Sequence, residues 1–149
     1  MSELESELDK RFHRVMGGLI GNETFGASLE EEAANQLLAW GESETQKIVQ
    51  QTIGMDEETA EAYLAPRLRA LRLMLRAFGR WVGETNILDD DARLTLWNLA
   101  EEQAKVLFGE SFSLPRMEEA TAQLQSGERA DMTIAWLKRF IEENRFRGS

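Results

Sequence analysis

Apolar positions recur along this chain at spacings of three and four, the mark of helices with one buried face, and no stretch reads convincingly as a strand. Leu4, Leu8, Phe12, Val15 and Leu19 predict a first helix from about Ser2 to Met16. Gly17, Gly18 and Gly21 then open a loop lasting to Ser28. Ser28-Leu29-Glu30-Glu31 has the form of a capping box, in which a hydroxyl and a glutamate three residues on satisfy each other's free backbone N–H groups. Leu29, Ala33, Leu37, Trp40 and Ile48 give the second predicted helix a buried face through Ile53, with Gly54 as its stop.

The third segment is the longest. Asp56 is placed to cap it, with Glu57 and Glu58 in the first turn, where acids complement the helix dipole. Pro66 removes one hydrogen bond and should bend the helix. However, Ala60, Tyr63 and Leu64 before the proline share an angular phase with Leu68, Leu71 and Phe78 after it. Two separate helices would have no reason to keep phase, so the pattern predicts one kinked helix from about Asp56 to Gly83, about 40 Å long at the usual helical rise.

Asp89, Asp90 and Asp91 open a fourth helix that should carry Leu96, Trp97, Leu99, Ala100, Val106 and Leu107 inward and stop at Gly109. A short fifth helix is expected from about Leu114 to Gln125, with Pro115 in its first turn and Gly127 beyond its end. A sixth should run from about Asp131 to Asn144, burying Ile134, Trp136, Leu137, Phe140 and Ile141, before a frayed tail from about residue 145. The expectation is one all-α domain over residues 1–149, a bundle of about six helices around a long central one, with no internal repeat.

Charge changes the picture. Residues 62–83 hold Arg67, Arg69, Arg72, Arg76 and Arg80 and no acid, so the other 127 residues carry −15 in a chain of net charge −10. Arg69, Arg72, Arg76 and Arg80 fall within about 80° of one another on a helix, opposite Leu64, Leu68, Leu71, Met74, Leu75 and Phe78. Leu73 lies beside this ridge, and Leu94 also falls off the apolar face of its helix. A ridge of cations needs an anionic counterpart. The acidic clusters at Glu30–Glu32, Asp89–Asp91, Glu101–Glu102 and Glu142–Glu143 could supply it by bidentate pairing within the chain. A second copy or another protein could equally supply it. A pI near 4.7 argues against nucleic acid, whose binding rests on a net basic footprint.

The remaining chemistry is sparse. The single histidine, His13, and the absence of cysteine leave no paired-histidine or thiolate metal site and no disulfide. Lys10 stands where a Glu-x-x-His motif would need its glutamate. The three aspartates at 89–91 suit a helix cap better than a magnesium ion, because consecutive helical residues diverge by about 100°. The glycines at 17, 18 and 21 lack the Lys-Ser or Lys-Thr of a phosphate loop. Glu101–Glu102, Glu118–Glu119 and Glu142–Glu143 read as solvated helix faces.

Trp40, Trp81, Trp97 and Trp136 fall on four different predicted helices, and core is the favoured reading for all of them. No apolar run is long enough to span a membrane, and the N-terminus lacks the order of a secretory signal, which points to the cytoplasm. The sequence thus predicts a small regulatory or adaptor-type protein with no catalytic residues, metal or cofactor. Its binding surface, for a protein partner, a second copy or an anion, is Arg69, Arg72, Leu73, Arg76 and Arg80. The alternative is a helical domain that holds the carboxylate or phosphate of a small amphiphile by an arginine, with its apolar part in a pocket near Trp81 or Trp97. An enzyme comes third.

Overall fold

The computed structural model describes residues 31–85, 87–125 and 130–145. Five helices and no sheet make up that part: α1 Glu31–Gln50, α2 Glu57–Glu84, α3 Asp90–Phe108, α4 Met117–Gln125 and α5 Ala130–Arg145. The expected helix at 2–16, the glycine loop, the Ser28 capping box, His13 and the tail beyond 145 lie outside the described residues.

The caps follow the expected chemistry. Asp56 has an extended backbone and accepts the Thr59 N–H at 2.7 Å, starting α2. Asp89 does the same for α3, accepting the Ala92 N–H at 2.8 Å. Each carboxylate takes one of the donors that a helix start leaves free. At the far end of α3, Gly109 has φ of 115° while its N–H bonds the Lys105 carbonyl at 3.0 Å. A side chain there would be strained, so glycine is the residue that lets the chain leave the helix. Gly54, with φ of 84°, has the same freedom in the reversal between α1 and α2.

α2 runs unbroken through Pro66. The hydrogen bond lost there would have joined residue 66 to the Ala62 carbonyl, and both residues are exposed, so solvent can hydrate that carbonyl. On the other side of the helix, Ala60, Leu64, Leu71, Met74, Leu75, Phe78, Trp81 and Val82 are all buried. This continuous arc spans the proline and keeps the two halves in one element. α3 packs back along α2 over the longest interface, α1 lies against α2 and α5, and α5 also touches α2 and α4.

Rings join these layers. Trp40 of α1 stacks on Phe78 at 5.8 Å between centroids, Phe78 meets Trp97 of α3 edge-on at 6.1 Å, and Trp97 tilts against Trp81 at 5.0 Å. Aromatic pairs at such separations each contribute about 0.5–1.5 kcal/mol beyond their burial. Leu37, Leu137, Ile134 and Ile141 are fully enclosed beside them.

Several expectations need correction. α1 ends at Gln50 rather than Ile53, and Ile53 is exposed on the turn that follows. The turn is held by Thr52, whose hydroxyl donates to the Val49 carbonyl at 2.6 Å. Val106, expected inside, is 52% exposed because the buried stripe of α3 is carried by Trp97, Ala100 and Ala104. The shortest of the expected helices starts at Met117, so Pro115 precedes it. Pro115 is buried, and its carbonyl accepts the Trp97 indole N–H at 3.2 Å, a tertiary contact that ties the segment to α3. Trp136 and Phe140 are only partly buried.

Replacing Asp89 by Ala should lower the unfolding free energy by about 1 kcal/mol in urea titration, the usual cost of losing a cap. For Asp56, the hydrogen bonds from Thr59 hold the carboxyl below its ordinary value of 3.8. Its contribution to stability is therefore complete above that ordinary value and fades as the pH falls through the lowered, folded one. An Asp56→Asn variant should show a flatter acid limb in melting temperature against pH.

Candidate functional site

The side of α2 turned away from the core carries the arginine ridge. Arg69 and Arg80 are exposed, while Arg72, Leu73 and Arg76 are half-buried. This is the pattern expected of long side chains that lay their stems along the bundle and keep their heads in water. Arg80 donates to the Glu84 carboxylate at 3.0 Å, one turn on. Among the described residues, no carboxylate pairs with Arg69, Arg72 or Arg76. Several acids of the clusters that might have neutralised them are engaged elsewhere. Asp89 caps α3, Asp90 pairs with Arg93, and a Glu101 oxygen accepts the Leu114 N–H at 3.0 Å.

Arg67 belongs to a different side. Its guanidinium donates to the Tyr63 carbonyl at 2.9 Å and lies 3.7 Å above the Tyr63 ring centre, a cation–π contact within one helical turn. Of the five arginines, Arg67 and Arg80 thus have local partners. Arg72, Arg76 and Arg80 also follow one another at intervals of four. Like charges so spaced cost about 0.2–0.5 kcal/mol per pair, so the ridge is electrostatically strained as it stands.

The tryptophans proposed for a pocket lie in the core. Trp81 is fully buried and Trp97 nearly so, and both belong to the chain of rings described above. The Trp97 indole N–H has its acceptor in Pro115, but those of Trp40 and Trp81 are buried without one. A buried indole N–H lacking an acceptor is costly, and such groups mark places where a small polar atom would be stabilised.

Two carboxylates escaped sequence reasoning. Glu101 was expected to be solvated, yet it is half-buried and fastens the segment after α3 through Leu114. Glu44 is 2% exposed, with the Lys47 ammonium 3.4 Å from its carboxylate. Its burial was legible in the interval of four that joins Trp40, Glu44 and Ile48, a phase that the charge of the residue masked. Among the described residues, no three His, Asp or Glu side chains stand together as a metal site would require. No described helix is long and apolar enough to cross a membrane.

A structural role for the ridge would make its charges stabilising, whereas the like-charge spacing implies the reverse. Arg76→Glu should therefore leave the unfolding free energy within about 0.5 kcal/mol of wild type or raise it, since it removes two repulsions and sets Glu one turn before Arg80. Urea titration monitored by helical circular dichroism measures this, and a loss of more than about 2 kcal/mol would assign Arg76 to the core instead. No family model, curated protein or solved structure matches the chain.

Proposed function

We propose that this chain is a small helical interaction module whose contact surface is Arg69, Arg72, Leu73, Arg76 and Arg80, acting by non-covalent binding in the cytoplasm rather than by catalysis. The observation that carries this reading is the row formed by Arg69, Arg72 and Arg76 on one helix face, without a described carboxylate to neutralise it. Arginine is enriched at protein interfaces because its planar head pairs bidentately with carboxylates and its stem covers apolar area. Leu73, half-buried beside the ridge, adds an apolar contact of the kind that excludes water from such pairs. A net charge of −10 disfavours extended nucleic acid, so the fitting partner is a protein surface of acidic residues.

A second reading has one observation in its favour. The acceptor-less indole N–H groups of Trp40 and Trp81 would suit a small amphiphile whose polar atom reaches them. Binding there would shift tryptophan fluorescence on titration with a medium-chain fatty acid; a flat titration would remove this alternative.

The interaction reading is tested by affinity capture from the native host with the wild-type chain and the Arg72→Glu, Arg76→Glu double variant, quantified by mass spectrometry. A specific protein partner should be recovered with the former and fall by about tenfold or more with the latter, as expected for reversing close interfacial charges. Equal recovery on both baits would contradict it.

A further inference from the structure

The exposed face of α2 is acidic at one end and basic at the other. Glu58 and Glu61 occupy its first turns, Arg69, Arg72, Arg76 and Arg80 its second half, and the exposed Ala62, Ala65 and Pro66 lie between. Within one chain these two ends cannot meet. The positions three and four after Glu58 and Glu61 hold Glu61, Ala62, Leu64 and Ala65, and those before Arg69 hold Ala65 and Pro66. Helical neighbours pair only at those intervals. Glu61 and Arg69 are separated by eight residues, about 12 Å of rise, which exceeds the screening length of about 8 Å in physiological salt. Among the described residues neither Glu57, Glu58 nor Glu61 forms an ion pair.

We infer that the partner of this face is a second copy of the same chain, with the two α2 helices antiparallel about a two-fold axis near residue 67. The inference rests on the arginine face being a contact surface and names what it contacts. A two-fold axis makes the pairing self-complementary: whatever residue i faces, the equivalent residue faces i in return. With the axis at 67, Glu58 faces Arg76 of the second copy and Ala65 faces Arg69. Glu61 and Ala62 face the step holding Arg72 and Leu73. The angular positions agree as well as the axial ones. With Arg67 at zero, Glu58 and Arg76 both lie near 180°, Glu61 and Arg72 near 120–140°, and Ala62 and Leu73 near 220–240°, at about 100° per residue. Residues on the same flank of each helix meet under this symmetry, so Glu61 meets Arg72 along one rim and Ala62 meets Leu73 along the other.

Two further features fit. The outward-facing residues before the axis, Ala62, Ala65 and Pro66, are short, so they leave room for the Arg69 and Arg72 stems that the second copy lays across them. Arg80, in contrast, would face position 54, before α2 begins, and it is the ridge arginine that Glu84 of its own chain already neutralises. The arginines within reach of the second copy are those left without a partner in their own.

Charge-swap complementation followed by sedimentation velocity tests this. The full-length wild-type chain should sediment as a dimer at low salt and dissociate as salt is raised. The Arg72→Glu, Arg76→Glu variant sets acid against acid at both cross-copy contacts and should be a folded monomer. The Glu58→Arg, Glu61→Arg variant sets base against base at the same contacts and should also be a monomer, with circular dichroism confirming helicity in each. Mixed in equal amounts, the two variants should recover the dimer. Failure of the mixture to associate, a dimer that persists in either variant alone, or a monomeric wild-type chain would each overturn the pairing. A poly-glutamate peptide, titrated into the wild type and the Arg72→Glu, Arg76→Glu variant, separates the two levels. Where the wild type is monomeric but binds the peptide through the ridge, self-pairing falls and the contact surface stands; where it neither dimerises nor binds, both fall.

Discussion

Burial of one arc of α2 fixes almost everything else about this fold. Ala60, Leu64, Leu71, Met74, Leu75, Phe78, Trp81 and Val82 are held against α1, α3 and α5 over the full helix, and the ring series from Trp40 through Phe78 and Trp97 to Trp81 links three elements at its centre. A helix locked on one side has no freedom to rotate. The opposite side is therefore fixed in direction, and the residues on it stand at set intervals along one row. That constraint makes the spacing of Arg69, Arg72 and Arg76 meaningful, because the row is preorganised before anything binds.

The core also sets the energetic setting of the ridge. Burial of the apolar arc is strong enough to tolerate a proline in mid-helix, where the loss is about 3 kcal/mol in an unsupported helix. Against such reserves the repulsion along Arg72, Arg76 and Arg80 is small. The fold can therefore carry like charges in a line without losing integrity, and a partner that neutralises them gains interaction free energy that the isolated chain lacks. Glu58 and Glu61 belong in the same account, since they form the acidic end of the same face.

Much of this was legible in the residues, for identifiable reasons. The phase shared by Leu64 and Leu71 across Pro66 revealed one long helix, because periodicity integrates over many turns while a proline is a single defect. Asp56 and Asp89 were readable as caps, since capping is a local contact between a carboxylate and an N–H three residues on. The errors arose where tertiary contacts decide. Pro115 looks like a helix start, but its carbonyl is held by Trp97, eighteen residues earlier in the chain. Val106 and Glu101 exchanged their expected environments because the segment after α3 folds back over one flank of that helix and recruits Glu101 through Leu114. At the candidate site, the positions of the arginines followed from the helical period. Whether they were already paired did not, because an ion pair between distant segments leaves no trace in spacing.

The claim on which the account rests is that Arg69, Arg72 and Arg76 stand free on α2 and become covered on association. Phenylglyoxal modification of the native protein, mapped by mass spectrometry, measures that directly for every arginine at once. The account predicts rapid modification of these three in dilute solution, slower modification of Arg67 and Arg93, and protection of Arg72 and Arg76 as the protein is concentrated at low salt. Protection of all three already in dilute solution, or reactivity unchanged by concentration and by any added partner, would contradict it.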